Sequence, residues 1–131
     1  MKATHNFDVF DSRAGIVVRA TDKDNFWMCG LRVSDNSAEI WERNSAVWTK
    51  RASASMTVNS ATDYELEVRM SGDTLTFYVD GVERTSFTST FNNTATLHGV
   101  RIKNAGDTVD NFQMTGSPVP EFSDEFSDEF A

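Results

Sequence analysis

The sequence predicts a single all-β domain, and three observations support this prediction. The 131 residues include ten Phe, three Trp and two Tyr but only two Pro, with many Thr, Val and Ser. Aromatic and β-branched side chains favour the half-buried surfaces of sheets. Short alternations of apolar and polar residues are separated by turns roughly every eight to twelve positions, which is typical of a sandwich or barrel. Hydrophobic (39%) and charged (24%) residues occur in the proportions of a folded globular protein.

The first predicted strands include a long hairpin. A short strand over residues 6–10 comes first, and the polar turn at 21–25 then joins a strand over 15–20 to a strand over 26–33. The strand over 26–33 carries apolar side chains on both faces. We therefore expect it to lie in the centre of a sheet.

A second hairpin is predicted to join strands over 38–43 and 46–50. Asn44 and Ser45 form its two-residue turn, because Asn tolerates the positive φ that such turns require. This turn sets which residues of the two strands lie opposite one another. The predicted pairs are Trp41 with Trp48 and Glu39 with Lys50 on one side of the sheet, and Ile40 with Thr49 on the other.

The strongest strand pattern lies in residues 64–71, where apolar and polar side chains alternate. Gly72 and Asp73 form a two-residue turn into a strand over 74–79. This loop length places three apolar residues of one strand opposite three of the other. The predicted pairs are Met70 with Leu75, Val68 with Phe77 and Leu66 with Val79.

The meander continues beyond this hairpin. The turn at residues 80–81 leads into a strand over 82–87, and a polar loop over 88–94 follows. The last predicted pair of strands covers 95–103 and 108–115.

A tail follows the sheet pattern, which Pro118 and Pro120 end. We expect a β-sandwich domain over residues 1–116 and an acidic, Phe-rich tail over 117–131. The tail repeats a four-residue unit, so its phenylalanines share one side. It is either an anchor peptide that docks in a groove of a neighbouring subunit or a disordered acidic end, and the regular spacing favours the anchor. The docking residues are Phe122, Phe126 and Phe130.

Several segments of the sequence carry a resemblance to a known family: GIVVRATDKDNFW, YELEVRMSGDTLTFYVDG, and LHGVRIKN with VDNFQM. Over about residues 14–115 the chain resembles the concanavalin A-like (laminin-G-like) lectin and glucanase family. The resemblance implies an antiparallel jelly-roll β-sandwich of the kind found in bacterial surface proteins and in minor tail and other virion proteins of bacteriophages. Such domains usually carry further strands before the segment that matches Gly15–Trp27. The resemblance therefore implies a sandwich truncated at its N-terminal side, with exposed edges that partners or other copies would cover.

Charge and cysteine content narrow the functions. The net charge of −8 opposes binding to nucleic acid or to anionic lipid. Cys29 is the only cysteine, so no intrachain disulfide forms. No stretch of the sequence reads as a signal peptide or a membrane span, so we expect a soluble chain.

The sequence carries no recognisable catalytic pattern. Glu65 and Glu67 share one face of a strand. Glycoside hydrolysis needs an acid and a second carboxylate at a defined separation. Glutamates are also the ordinary residues on the solvated side of an amphipathic strand, so this pair does not indicate a hydrolase. His5 and His98 have no partners at the spacing of a triad or zinc site, so surface or edge positions are expected. We therefore predict a non-enzymatic protein.

A partial set of oxygen ligands for calcium occurs in one turn. Asp22, Asp24 and Asn25 offer carboxylate and amide oxygens, but calcium takes six to eight oxygens and the same residue types close hairpins. The turn interpretation is favoured, and no cofactor is expected.

Trp41 and Trp48 are the candidate binding platform. Flat aromatic rings pack against the C–H face of a sugar, and flanking polar groups bind its hydroxyls; here Glu39, Arg43 and Lys50 flank the pair. The alternative, which aromatic enrichment at interfaces favours, is that the pair packs under a loop or against another subunit.

Two functions remain after these exclusions. The first is a structural protein of a bacteriophage virion, in the tail or on the capsid, that is assembled in the host cytoplasm and docks on other virion proteins or on its own copies. The second is a carbohydrate-binding, lectin-like module whose partner is a glycan, for example on a host surface. A glycoside hydrolase is the third and weakest hypothesis.

Overall fold

The computed structural model describes residues 2–6, 14–59, 62–101 and 108–113, and these form ten β-strands. The strands are β1 (Lys2–Asn6), β2 (Ala14–Asp22), β3 (Asn25–Arg32), β4 (Ser37–Asn44), β5 (Val47–Ser55), β6 (Asp63–Ser71), β7 (Thr74–Val79), β8 (Val82–Thr88), β9 (Leu97–Arg101) and β10 (Thr108–Gln113). Within these residues no helix is long and apolar enough to cross a membrane.

The strands form two antiparallel five-stranded sheets. Sheet 1 has the order β10-β1-β6-β7-β8, and sheet 2 has the order β5-β4-β3-β2-β9. The prediction of an all-β antiparallel sandwich is confirmed. β3 lies in the centre of sheet 2, as its two apolar faces indicated.

The main core lies between the sheets. In β3, Trp27, Cys29 and Leu31 point into this core, and from sheet 1 they meet Leu66 and Phe77. All five side chains are at most 1% exposed. Burial of this kind contributes roughly 1.5–3 kcal/mol for each large apolar side chain, so the layer between the sheets is the main source of stability.

The β6–β7 hairpin has the predicted register. Met70 pairs with Leu75, and the two predicted pairs farther from the turn are also present. The turn residue Gly72 has a φ of 57°, which glycine adopts without steric cost. Local turn chemistry and strand alternation agree here, so the register could be predicted from sequence.

The predicted register of the β4–β5 hairpin is wrong by two residues from the turn to Trp41, and by three at Ile40 and Glu39, beyond a bulge. Its turn is Ser45–Ala46, both with positive φ, so Asn44 pairs with Val47 and Trp41 with Lys50. A shift of two residues keeps each side chain on its predicted face. The corrected register also replaces the remaining predicted pairs: Trp48 lies opposite Arg43, Thr49 opposite Glu42, and Glu39 opposite Ser53.

The β5 and β8 edges of the sandwich carry irregularities that oppose strand addition. The register between β4 and β5 shifts near Arg51, and that between β7 and β8 shifts near Arg84. Bulges and charged residues on an edge are devices that prevent pairing with another chain. Completion of the sandwich by strand exchange is therefore disfavoured at these two edges.

The first strand differs in position from its prediction. β1 covers Lys2–Asn6, whereas most of the strand predicted over 6–10 lies outside the described residues. β1 is an interior strand, paired with β10 on one side and β6 on the other. That the sandwich lacks strands at its N-terminal side stays a prediction, as does the domain boundary at residue 116, which also lies outside the described residues.

A polar cluster lies at the end of the sandwich that contains the β6–β7 turn. The buried Arg19 donates from its guanidinium to the carbonyl of Gly72, and its backbone N–H donates to His98 Nδ1 at 3.1 Å. His98 lies on the edge strand β9, and burial, as the largest cause, lowers its pKa from 6.5 to about 4. A protonated imidazole could not accept the Arg19 hydrogen bond, so the folded state holds His98 neutral.

We expect this histidine to make stability depend on pH. In the unfolded chain His98 becomes protonated below its ordinary pKa of 6.5, whereas in the folded chain its pKa is about 4. Its contribution is therefore complete above pH 6.5 and is lost as the pH falls towards 4, by about 1–2 kcal/mol after allowance for solvent screening. Urea unfolding at pH 7 and pH 4 measures this. In His98→Asn, whose Oδ1 accepts the same hydrogen bond without titrating, the loss should be smaller by that amount; an equal loss would contradict the assignment.

Candidate functional site

The outer faces of the two sheets differ in chemistry. Sheet 1 presents charged residues in ion pairs, such as Lys2 with Glu65 at 3.5 Å and Arg69 with Glu67 at 2.9 Å. The Arg69 guanidinium also lies 4.1 Å from the centre of the Tyr78 ring. This face has the character of a solvated surface.

The two glutamates on this face do not have the properties of a glycosidase pair. The hydrogen bond from Arg69 lowers the pKa of Glu67, which keeps the carboxyl ionised. A general acid for glycoside hydrolysis needs the opposite shift, so that it holds a proton near neutral pH. Glu65 is half-exposed and paired with Lys2. These residues form the solvated side of β6, as the strand pattern indicated.

Sheet 2 presents a second group of apolar side chains on its outer face, which we name the outer apolar cluster. It is separate from the main core because alternate residues of each strand point to opposite sides. Its members are Val17, Ala20, Phe26, Met28 and Trp41, with the partly buried Trp48 and Leu97 packed against them.

The predicted tryptophan pair lies in this cluster, but its rings do not form one flat platform. The Trp41 and Trp48 centroids are 6.1 Å apart with an interplanar angle of 89°, and Phe26 meets Trp48 at 5.5 Å and 82°. Trp41 is only 9% exposed, whereas Trp48 is partly exposed. Trp48 is therefore the ring that a ligand can reach, and Trp41 and Phe26 support it.

Glu39 is a buried carboxylate held by three donors. Its oxygens accept hydrogen bonds from Ser37 Oγ at 2.7 Å, Trp41 Nε1 at 2.8 Å and Lys50 Nζ at 3.4 Å. A buried charge is tolerated only when it is paired and hydrogen-bonded. The Glu39 side chain is 3% exposed and that of Lys50 is 41% exposed, so Glu39 positions its partners and Lys50 can contact a ligand.

Arg43 orients Trp48 from the other side. Its guanidinium carbon lies 4.9 Å from the Trp48 ring centre, and it forms an ion pair with Asp24 at 3.7 Å. A cation over an indole face contributes about 0.5–2 kcal/mol. The structure thus brings all five predicted platform residues, Glu39, Trp41, Arg43, Trp48 and Lys50, onto one face.

The suggested calcium residues serve as turn and hairpin contacts. Asp22 Oδ1 accepts from Asp24 N at 2.8 Å and from Asn25 Nδ2 at 2.9 Å. Asn25 Oδ1 in turn accepts from Ser45 N at 3.0 Å, which ties the β2–β3 turn to the β4–β5 turn. Two oxygens of the suggested calcium set are thereby engaged in hydrogen bonds. The described residues contain no group of three or more His, Cys, Asp or Glu side chains that could hold a metal ion.

Sequence reasoning missed Phe26, Met28 and Ser37 as parts of this face. The two apolar faces of β3 were the available signal for Phe26 and Met28, whereas Ser37 lay outside the predicted strands. Among the other candidates, the His5 side chain lies outside the description, and so do the tail residues Phe122, Phe126 and Phe130.

Comparison with known proteins finds solved structures with a similar fold. No family model and no curated protein matches the chain. The carbohydrate-binding module CBM66 from Bacillus subtilis superposes with a TM-score of 0.63 and 11% identity, over 67% of this chain and 56% of that one. The Caenorhabditis elegans galectin LEC-6 superposes with a TM-score of 0.61 and 17% identity, over 82% of this chain and 75% of that one.

These similarities define the chain as a jelly-roll β-sandwich with a lectin-like fold. It spans only about half the length of the Bacillus module. Fold alone does not determine function, because one fold carries many unrelated activities. Neither the two structures nor the contacts within the described residues support the expected virion role.

Proposed function

We propose that this chain is a non-enzymatic carbohydrate-binding module that binds glycans at the outer face of sheet 2. The observation that carries the proposal is the partly exposed Trp48 ring, which Trp41, Phe26 and Arg43 support and beside which Lys50 is exposed. A site of this kind combines an apolar surface with a few placed polar groups. The proposal is also supported by the fold, since the two similar structures are named as a carbohydrate-binding module and a galectin.

Each residue of the proposed site has its own role in binding. Trp48 stacks on the C–H face of a sugar ring, and Lys50 donates to a hydroxyl or ring oxygen. Lys50 can do so because its contact to Glu39 is long and Glu39 already accepts two shorter hydrogen bonds. Glu39 and Arg43 are positioning residues, since they hold the side chains that touch the ligand. The virion role and virion location stay predictions that no particular observation favours.

Trp48→Ala is expected to weaken glycan binding about tenfold or more, because one aromatic stacking contact contributes about 1.4 kcal/mol and each such increment is a factor of ten. Titration of a glycan panel by tryptophan fluorescence and calorimetry measures this. Tyr78→Ala is the matched control: Tyr78 also lies under an arginine, but on the outer face of sheet 1. Binding that survives Trp48→Ala, or that is lost in Tyr78→Ala, would contradict the site. No binding across the panel would contradict the function.

A further inference from the structure

Two ion pairs between strands β4 and β5 expose their bases and bury their acids. Lys50 pairs with Glu39 at 3.4 Å. Arg51 pairs with Glu42 at 3.1 Å. Both basic side chains are 41% exposed, whereas the two acidic side chains are only 3% and 8% exposed. Each pair is neutral, but its positive end faces solvent and its negative end lies beneath the surface, so a ligand at the β5 edge meets the cations first.

The positions of the two strands produce this arrangement. β4 lies between β3 and β5, so its glutamates are covered by neighbouring chains, whereas β5 is the edge strand of sheet 2 among the described strands. Glu39 is also held by hydrogen bonds from Ser37 and Trp41, which do not depend on Lys50. An ammonium has three N–H donors and a guanidinium has five, so a contact with one carboxylate leaves donors for a ligand.

The two cations lie beside the ring that the proposed function uses. Trp48 and Lys50 are two residues apart on the same side of β5, which is about 7 Å along an extended strand. Arg51 comes next, where the β4–β5 register shifts. A substituent of a sugar that stacks on Trp48 can therefore extend along β5 to the cations.

The other flank of Trp48, next to the β2–β3 turn, has the opposite arrangement. Asp24 pairs with Arg43 at 3.7 Å, and here the acidic side chain is the more exposed one, at 39% against 17%. Asp22 and Lys23 in the same turn are both exposed and offset each other. The charge at the surface therefore changes sign along β5, from acidic beside the turn to basic two or three residues beyond the ring.

We propose that the glycan bound at this face is acidic, and that its carboxylate or sulfate group contacts Lys50 and Arg51 while a sugar ring stacks on Trp48. This inference rests on the proposed function and names the class of its ligand. The anion is attracted by both cations, while the buried carboxylates lie farther from it. The net charge of −8 opposes general attraction of acidic polymers, so the contact is confined to this edge.

Calorimetric titration of the full chain with matched ligands tests the proposal. Galacturonate and hyaluronate oligomers are each compared with their methyl esters, and sulfated dextran oligomers with dextran, because the members of a pair share a sugar backbone and differ in charge. We expect the acidic member of at least one pair to bind about tenfold more tightly. The difference should shrink as salt is added, since salt screens exposed charges. The pair that shows the difference distinguishes a carboxylate from a sulfate.

Variants assign the effect to the β5 edge. Lys50→Gln and Arg51→Gln should each weaken binding of the acidic ligand about fivefold and leave binding of its neutral counterpart unchanged. Arg51→Gln leaves a buried carboxylate without its cation, so the double variant Glu42→Gln/Arg51→Gln, which removes both charges, is measured beside it. Lys2→Gln and Arg69→Gln are the matched controls, because they remove exposed cations from the outer face of sheet 1.

Three outcomes overturn the proposal. Equal affinity for both members of every pair would refute the acidic ligand and leave the lectin function standing. If Lys2→Gln or Arg69→Gln weakens binding as much as Lys50→Gln does, the attraction is not located at β5. Binding of no glycan, acidic or neutral, would refute the proposed function and this inference with it.

Discussion

Glu39→Ala is expected to lower the free energy of unfolding by about 3 kcal/mol. The substitution removes the acceptor of Trp41 Nε1 and Ser37 Oγ in a buried region, and an unsatisfied buried donor costs about 1–3 kcal/mol. It also leaves a space beside Trp41. Lys50 limits the loss, because its half-exposed ammonium can turn to solvent. Urea unfolding followed by circular dichroism gives the value.

Glu65→Ala is the matched control for this experiment. Glu65 is also a strand glutamate paired with a lysine, but it lies on the solvated face of sheet 1. Exposed ion pairs contribute little, so a change within about 0.5 kcal/mol is expected. If both variants lose the same small amount, Glu39 does not hold the face together. Glu39→Gln should fall between them, since its amide oxygen can still accept one hydrogen bond.

Gly15→Ala is expected to cost about 3 kcal/mol or more, and failure to fold would agree with this. A Cβ at Gly15 would clash with the carbonyl oxygen of Cys29 and lie 2.8 Å from the Cα of Gly30. These are backbone atoms of the central strand β3, so no side-chain rotation relieves the overlap. Gly15 pairs with Gly30, and two facing glycines allow β2 and β3 to approach closely. Thermal unfolding and the soluble yield measure the effect.

Gly72→Ala separates this steric effect from glycine's conformational freedom. Nothing lies within 4 Å of a Cβ at Gly72, so its cost comes only from the φ of 57°. A left-handed residue other than glycine costs about 1–2 kcal/mol. A loss at Gly15 no greater than that at Gly72 would show that the close approach of β2 and β3 does not matter.

A hairpin register could be predicted from the sequence where the residues that set it lie close together in the chain. The β6–β7 register was predictable because a two-residue turn and a period-two pattern act within sixteen residues or so. The β4–β5 register was not, because contacts with a distant turn help to set it. Ser45 donates to Asn25, and the N–H of Ala46 donates to the carbonyl of Asp24. These contacts hold the turn at Ser45–Ala46 rather than at Asn44–Ser45.

The candidate site shows the same division. The alternation of β4 and β5 by itself determined that Glu39, Trp41, Arg43, Trp48 and Lys50 share a face, because side-chain direction has a period of two and an error of two residues does not change it. Only the tertiary structure decided which of them are accessible. Trp41 is 9% exposed and donates to Glu39, whereas Trp48 packs edge-on against Phe26 and stays partly exposed. The local pattern does not encode these differences. The sequence determined the two-layer fold and which residues share the outer face of sheet 2. Packing between distant segments decided how exposed each of these residues is, how the Trp41 and Trp48 rings are oriented, and that the Glu39 carboxylate is buried.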